Sequence, residues 1–358
     1  GASALKDTTS NTQNVAIGVS AGENITSNNN VAIGYQANAL ATTGNSNSSM
    51  GYRALRYNVD GDNNVAIGKL AMQGASNQSH SNNTAVGSSA LKSIRTGGQN
   101  VAVGVSALLS NTTGLQNVAI GFESAKSMTI GQNNIAIGRE ALLTEDVGDR
   151  SIAIGTYALF SQNSDSDNED AENVSVGYGA GYYNVTGQYN TYIGGQSGWG
   201  VSGQSNSNNT AVGYQSLNGV TTGGNNAGFG MESLRVVTTG SSNTALGTFA
   251  LYDLNTGSQN VSVGLSSGEN ITDGNNNVLL GYRAGYTANF NNSIGIGYRA
   301  LYNNTADSNI AIGYDAGFAL TSGASNTAIG FQSAVTQTTG ANNTSVGHAT
   351  MGGLAGGT

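Results

Sequence analysis

The feature that most constrains the fold is a short repeat, a variant of Asn-Val-Ala-Ile-Gly-Tyr-x-Ala-Leu, which occurs twenty times in the 358 residues. Of the nineteen spacings between its glycines, thirteen are 17 residues, three are 16, two are 19 and one is 22. A period this short and regular is typical of a solenoid, in which each coil packs mainly on its neighbours. These anchor glycines are Gly18, Gly34, Gly51, Gly68, Gly87, Gly104, Gly121, Gly138, Gly155, Gly177, Gly194, Gly213, Gly230, Gly247, Gly264, Gly281, Gly297, Gly313, Gly330 and Gly347.

The residues just before each anchor glycine predict a short strand. A large apolar residue precedes every anchor, and three residues before it most copies have a β-branched residue; Ile137 and Ile135 are one such pair. Between them lies a small residue, such as Ala136, on the opposite face of the strand. We interpret the aliphatic face as the inner core, and the alanine face as a surface that a second copy of the chain approaches closely. The sequence therefore predicts an all-β parallel β-solenoid of about twenty 17-residue coils.

Two further positions have structural meaning. A glycine occurs seven residues before the anchor in thirteen copies, often as Thr-Thr-Gly, and predicts a turn with positive φ. Asparagine lies four residues before the anchor in eighteen copies, with Ser151 and Ser293 as the exceptions. Stacked in successive coils, these asparagines predict an amide ladder. Tyr192 and Leu279 are the exceptions to the small residue in the middle of the strand.

Composition narrows the class of protein. We divide the chain into an N-terminal lead-in (1–13), a repeat solenoid (14–351) and a Gly-rich tail (352–358). Proline, which would interrupt a ladder of strands, is absent, and no cysteine is present to form a disulfide. The net charge is −8 with no basic stripe, and no apolar run is long enough to span a bilayer. We therefore expect neither nucleic-acid binding nor membrane insertion of this segment.

The sequence contains no recognisable catalytic constellation. His80 and His348 are the only histidines, there is no cysteine nucleophile, and the carboxylates form no recurring pair. We expect no enzymatic activity. The single cofactor hypothesis is Ca²⁺, at alternating carboxylates Asp165, Asp167 and Asp170 in the 22-residue repeat. The alternative is a solvated insertion, because the stretch lacks the spacing of a recognised calcium loop.

Aromatic residues supply the candidate binding sites. Tyrosine follows the anchor in seven copies, and in Tyr282, Tyr298 and Tyr314 it does so in three consecutive coils. Such a column predicts contact with a sugar or a protein partner; the alternative is packing within the assembly. The only tryptophan, Trp199, lies in a Gly-rich insertion and is a second candidate ligand contact, with covering of the coil edge as its alternative.

The string Asn64-Val65-Ala66-Ile67-Gly68, with Ala71, resembles the head repeats of YadA-like trimeric autotransporter adhesins, and similar repeats occur in bacteriophage tail fibres. The resemblance covers residues 14–351. It implies a left-handed β-roll, association of three chains, and binding to host surfaces or matrix proteins. No heptad stalk or anchor segment is recognisable, which favours a head segment or a viral fibre segment.

Three functional hypotheses follow. The first is an extracellular oligomeric adhesive rod, at a cell surface or in a virion tail fibre, which is a homotrimer attached to a host-surface glycan or protein. The second is a structural shaft or self-assembling filament without a ligand. The third is an ice-binding solenoid, against which counts the irregular occurrence of Thr-Thr-Gly. An uneven distribution of loops and aromatics over the surface would favour the adhesive hypothesis over the shaft.

Overall fold

A computed structural model of the protein describes residues 1–6, 13–166 and 169–351. The chain divides into two compact units, Gly1–Gly179 and Ala180–Thr358, called unit 1 and unit 2. In the described residues each unit contains ten three-residue strands and no helix. The strands of unit 1 are β1 Val15–Ile17, β2 Val31–Ile33, β3 Ser48–Met50, β4 Val65–Ile67, β5 Thr84–Val86, β6 Val101–Val103, β7 Val118–Ile120, β8 Ile135–Ile137, β9 Ile152–Ile154 and β10 Val174–Val176. Those of unit 2 are β11 Thr191–Ile193, β12 Thr210–Val212, β13 Ala227–Phe229, β14 Thr244–Leu246, β15 Val261–Val263, β16 Val278–Leu280, β17 Ile294–Ile296, β18 Ile310–Ile312, β19 Thr327–Ile329 and β20 Thr344–Val346.

Within each unit, every strand pairs with the next one in parallel and in register. Ala102 of β6, for example, lies beside Ala119 of β7, which lies beside Ala136 of β8. Each pairing joins equivalent positions of successive repeats, so that one repeat forms one coil. The predicted parallel β-solenoid with a coil of about 17 residues is confirmed.

The interior of the coil is lined by the alanine face of the strands. The middle residues Ala66, Ala119 and Ala136 have no solvent-exposed surface, whereas Ile67 is 40% exposed and Ile120 is 39% exposed. Our prediction that the aliphatics before each anchor, Ile137 among them, form the inner core was therefore wrong, and so was an alanine face turned to a second chain. The coil is too narrow for two bulky walls.

The opposite wall of the coil explains why alanine suffices. Three and four residues after the anchor, pairs such as Ala107 and Leu108 are fully buried, so that leucine fills the space the strand alanine leaves. Where a large residue replaces that alanine, glycine replaces the leucine. A Cβ on Gly198 would lie 2.4 Å from the ring of Tyr192, and one on Gly285 would lie 2.7 Å from Leu279. The exceptions seen in the sequence are thus exchanges of volume across one narrow core.

The anchor glycines stack in columns at a tight corner after each strand. Gly121 has φ of +137°, and a Cβ on it would lie 2.4 Å from the carbonyl oxygen of Gly138 in the next coil. Both the backbone conformation and the close approach of the next coil require glycine. The predicted alignment of the anchors is confirmed within each unit.

The glycines seven residues before the anchors have a different role from the predicted one. Gly44 and Gly114 lie outside the left-handed region, and the prediction of a positive φ at this position was wrong. A Cβ on Gly114 would lie 2.5 Å from the carbonyl oxygen of Gly131 in the next coil. Glycine is needed there because two backbones approach each other closely. The positive φ falls two residues later, as at Gln116.

The predicted asparagine ladder is present inside the coils. Asn83 Oδ1 accepts hydrogen bonds from the backbone N–H of Asn100 at 2.9 Å and from its Nδ2 at 3.1 Å. Asn100 Nδ2 also donates to the carbonyl oxygen of Gly114 at 2.9 Å. Because these amides are buried, their bonds to backbone groups of adjacent coils fix the register of stacking.

The first residues of the lead-in already follow the repeat. Gly1 lies against Gly18, the N–H of Ser20 donates to the carbonyl oxygen of Ala2 at 2.9 Å, and the N–H of Leu5 donates to that of Ala21 at 3.2 Å. Residues 1–5 thus pack on the corner of the first complete coil as the later coils pack on one another.

Candidate binding surfaces

The first candidate surface is the outer face of the strands. It consists of the side chains one and three residues before each anchor glycine, and we call it the outer strand face. Ile17 is 59% exposed in unit 1, and Leu246 is 50% exposed in unit 2. The column one residue before the anchors is apolar in every coil of both units, whereas the column three residues before them is mostly aliphatic in unit 1 and half threonine in unit 2. A continuous exposed apolar surface of this kind is typical of a protein–protein interface.

The second candidate surface is a column of five stacked rings in unit 2. Successive centroids of Tyr282, Tyr298, Tyr314, Phe331 and His348 are 5.2, 4.8, 5.2 and 5.1 Å apart, with interplanar angles of 23° or less. We call it the C-terminal aromatic column. The three tyrosines that the sequence proposed do lie together. Their neighbours occupy the faces between the rings, so the column presents ring edges and hydroxyl groups; ligand binding there remains a prediction.

A second aromatic column runs beside the first. Tyr286, Tyr302 and Phe318 lie five residues after their anchors, with centroids 5.0 and 5.1 Å apart. We did not predict this column, although the sequence carries its signal: an aromatic residue recurs five residues after the anchor in three consecutive repeats.

Arginines lie between the two columns. The guanidinium carbon of Arg283 is 5.2 Å from the ring centroid of Tyr282 and 4.8 Å from that of Tyr286. Arg299 lies in the same way between Tyr298 and Phe318, and donates to both carboxylate oxygens of Asp315 at 2.9 and 2.7 Å. These hydrogen bonds raise the pKa of Arg299. The residue two positions after an anchor thus lies between two columns, one formed by residues one position after the anchors (offset one) and the other by residues five positions after them (offset five).

Trp199 lies in an aromatic cluster of its own. Its ring stacks on Tyr182, with centroids 4.5 Å apart and planes 12° apart, and meets Tyr183 edge-on at 5.9 Å. Trp199 is half-buried on the coil, and the exposed segment follows it at residues 201–204. The tryptophan is therefore held on a fixed surface instead of standing in the loop itself. Its proposed ligand contact remains a prediction.

The described residues of the acidic stretch bond to other protein groups, and calcium binding there stays a prediction. Asp170 pairs with Arg150, and the backbone N–H of Asp165 donates to the carboxylate of Glu169 at 2.9 Å. Asp167 lies outside the described residues. Among the described residues, no group of three or more histidine, aspartate or glutamate side chains could bind a metal ion.

The two coils of 19 residues share one arrangement, with one coil in each unit. They end at Gly87 and Gly213, and segments 78–87 and 204–213 differ only in having His80 or Asn206. The N–H of His80 donates to Asn58 Oδ1 at 3.2 Å, and that of Asn206 donates to Asn184 Oδ1 at the same distance. The residues of one coil therefore have direct counterparts in the other, a correspondence that we did not predict.

Comparisons with known proteins do not identify the family of the chain. Neither the protein-family models nor the curated proteins contain a match to the chain. In the described ranges, no helix is both long and apolar enough to cross a membrane.

Proposed function

We propose that the chain is the repeat body of an extracellular oligomeric fibre, which attaches to a cell surface or host receptor. The observation that carries the proposal is the outer strand face, with Ile67 and Ile120 each about two-fifths exposed. A single chain leaves this apolar surface in water, and a second copy would present the same surface in the same strand spacing. Association of copies through it removes both from water.

The thin core supports association. Each coil buries mainly an alanine from the strand and an alanine–leucine pair from the opposite wall, as with Ala102, Ala107 and Leu108. The larger aliphatics lie outside, where they stabilise the fold only when another surface covers them. The resemblance to trimeric head repeats implies three copies, and three outer strand faces turned to a common axis would all be covered.

The uneven surface supports attachment over a purely structural shaft. Stacked aromatic columns and the Trp199 cluster concentrate in particular coils of unit 2, whereas a shaft needs no such concentration. In an oligomer each such surface is present in several copies, so that weak single contacts sum to strong attachment. An extracellular position, at a cell surface or in a virion tail fibre, is part of the same proposal, with a host-surface glycan or protein as the partner.

Light scattering tests the association. We expect a stable oligomer for the unaltered chain, and separation of its subunits by the pair Ile67→Asp and Ile120→Asp, because covering these carboxylates leaves unpaired charges. Gln116→Asp, at an exposed position outside the strands, is the matched control and should leave the mass unchanged. A monomeric parent chain at micromolar concentration would refute the oligomer.

Whole-cell binding tests the attachment. The purified protein, labelled at its N-terminus, should bind a panel of intact bacterial and animal cells in a saturable way that depends on the oligomer. The Asp pair should weaken binding by at least tenfold through loss of avidity. Absence of binding throughout the panel, by a correctly assembled oligomer, would leave the shaft as the better hypothesis.

A further inference from the structure

We infer that unit 2 has a binding site for an uncharged oligosaccharide, formed by Gln196, Trp199, Tyr214, Gln215 and Asn218. We call these residues the amide–aromatic patch. The inference rests on the proposed attachment function and names the ligand class and place for it.

The part of unit 2 that carries the patch contains no charge. Between Ala180 and Met231 there is no aspartate, glutamate, lysine, arginine or histidine. The next coil brings Glu232 and Arg235 beside the patch, since the N–H of Glu232 donates to the carbonyl oxygen of Tyr214 at 2.9 Å, but these two charges pair with each other at 3.7 Å. A carboxylated or sulfated ligand gains its strength from charge-assisted hydrogen bonds, and the patch residues themselves carry no cation to supply one. An ionic group bound at the patch would lose its hydration without compensation. The chemistry therefore favours a neutral ligand.

Tyr214 offers an uncovered ring at one side of the patch. It is 51% exposed and, in the described part of unit 2, contacts no other aromatic ring. The same position in the preceding coil is Gly195, whose missing Cβ would lie 3.5 Å from Tyr214 Cδ2. No side chain thus covers this face, whereas the tyrosines of the C-terminal aromatic column cover one another. An exposed ring face can pack against the C–H face of a pyranose.

Trp199 lies at the other side, with amide groups between the two rings. Tyr214 is at offset one and Trp199 at offset five from their anchors, the two offsets that Arg283 bridges in a later coil. Here the bridging position holds Gln196 and Gln215. The patch thus combines two aromatic side chains with a polar and uncharged centre.

The amides retain hydrogen-bonding capacity. Gln215 Nε2 donates to Gln196 Oε1 at 2.6 Å, and Asn218 Nδ2 donates to the carbonyl oxygen of Gln196 at 3.2 Å. Within the described residues, Gln196 Nε2, Gln215 Oε1 and Asn218 Oδ1 make no hydrogen bond to the protein. One donor and two acceptors are therefore available on a pre-ordered surface, and sugar hydroxyl groups can both donate and accept. Because the amides are held in place, a ligand orders few side chains on binding.

Unit 1 provides a natural control for the patch. The counterparts are Leu70 and Gln73 in its 19-residue coil and Ser88, Ser89 and Lys92 at the start of the next coil. The backbone frame is the same, but both aromatics are absent and a lysine is present. The fold thus accepts Gln at the position of Trp199 and Ser at that of Tyr214, which defines substitutions that preserve the coil.

The single tryptophan allows a direct measurement. Because Trp199 is the only one in the chain, its emission reports from the patch alone. The full-length protein is titrated with oligomers of glucose, galactose, mannose and N-acetylglucosamine, and with sialylated or sulfated forms of the same cores. We expect a saturable change in emission with at least one neutral oligomer, and affinity for its charged form lower by tenfold or more.

Binding of variants to an array of the same sugars tests whether the patch residues form the site. Trp199→Gln and Tyr214→Ser should each weaken binding at least tenfold, while Tyr52→Ser, at the same offset as Tyr214 in unit 1, should change it less than twofold. Equal melting temperatures verify folding of each variant. Binding of acidic sugars only, no binding of any sugar, or full binding by both patch variants would overturn the inference. If whole cells still bind the parent protein in those cases, the proposed attachment function stands without this site.

Discussion

The 19-residue coils of unit 1 and unit 2, taken with the strand that precedes each, show how one backbone frame accepts two different interiors. In unit 1 the strand contributes Ala66, and the opposite wall contributes Met72. In unit 2 the same positions hold Tyr192 and Gly198. Large and small residues have exchanged walls, and both coils remain fully buried at these positions. In this pair of coils the summed volume of the two facing side chains is therefore conserved.

The polar part of the interior differs as well. The Tyr192 hydroxyl and Asn209 Nδ2 both donate to Asn206 Oδ1, and burial raises the pKa of Tyr192. His80, at the position of Asn206, is buried, and both its ring nitrogens lack a hydrogen-bond partner. At this position unit 2 has a hydrogen-bonded amide oxygen, whereas unit 1 keeps a neutral imidazole whose ring nitrogens have no hydrogen-bond partner.

The largest expected effect on stability comes from replacing the residue on one wall of the unit 2 coil by its unit 1 counterpart while the other wall is unchanged. Gly198→Met would place a side chain against the ring of Tyr192, and should lower the free energy of unfolding by about 3 kcal/mol or more. Tyr192→Ala alone leaves a cavity and should cost about 3–5 kcal/mol. The double variant, which recreates the unit 1 pair, should lie within about 1.5 kcal/mol of the parent. Denaturant melting of the three variants measures this.

The backbone conformation of residue 198 permits a methionine, so that these variants test side-chain volume alone. Met72 adopts φ of +47° in unit 1, close to the +55° of Gly198, so that backbone strain alone does not forbid the substitution. If the double variant were as unstable as Gly198→Met, the two walls would not share one space, and the exchange of volume would be disproved.

The same exchange shows what the sequence could and could not predict. The period, the parallel coils, the asparagine ladder and the glycine corner followed from residues at fixed offsets. The direction of the strand faces did not, because an alternation of period two places Ala66 and Ile67 on opposite sides without saying which is inside. The deciding signal was the coincidence of Tyr192 with Gly198 and of Leu279 with Gly285. A large residue paired with a distant glycine indicates a shared interior.

The binding surfaces were predictable only in part. The column of Tyr282, Tyr298 and Tyr314 followed from one offset in consecutive repeats. The contacts of Trp199 did not, because they depend on which offsets meet across neighbouring coils. Its insertion looked like a loop because glycines surround it, yet Gly198 is there to make room for Tyr192.

The second prediction uses the buried histidine. Burial lowers the pKa of His80 to about 4 from 6.5. In the unfolded chain His80 thus takes up a proton near pH 6.5, whereas in the folded chain it does so only at about pH 4. The contribution of His80 to the free energy of unfolding is therefore constant above pH 6.5 and falls between pH 6.5 and 4. The loss amounts to about 3 kcal/mol when the pH reaches 4. His80→Asn, which installs the unit 2 residue, should remove this slope.

Urea melting at pH 7.5, 6, 5 and 4 checks the histidine prediction. Asn206→Ser in unit 2 is the control, since it removes a buried polar side chain without removing a titrating group, and should lower stability equally at every pH. An acid slope that persists unchanged in His80→Asn would show that other groups cause it.

The smallest expected effect concerns an exposed difference in the coils just before these two, at Asp60 in unit 1 and Thr186 in unit 2. Asp60 accepts hydrogen bonds from the hydroxyl groups of Thr43 and Thr42 at 2.7 and 2.9 Å, and they lower its pKa below the usual 3.8. In unit 2 the counterpart is Thr186, whose backbone N–H donates to the hydroxyl oxygen of Ser205, just as the backbone N–H of Asp60 donates to that of Ser79. Asp60→Thr should therefore change stability at pH 7 by less than about 0.5 kcal/mol, as is usual for a surface site.

The pH dependence separates Asp60 from His80. The pKa of Asp60 is lowered in the folded chain, so the stabilisation by its carboxylate is present above pH 3.8 and is lost as the pH falls below it. In the His80→Asn background, urea melting should show that Asp60→Thr flattens only the acid limb below about pH 5, where unfolded Asp60 begins to take up its proton, and a change of slope between pH 6.5 and about 5 would contradict the assignment of that window to His80.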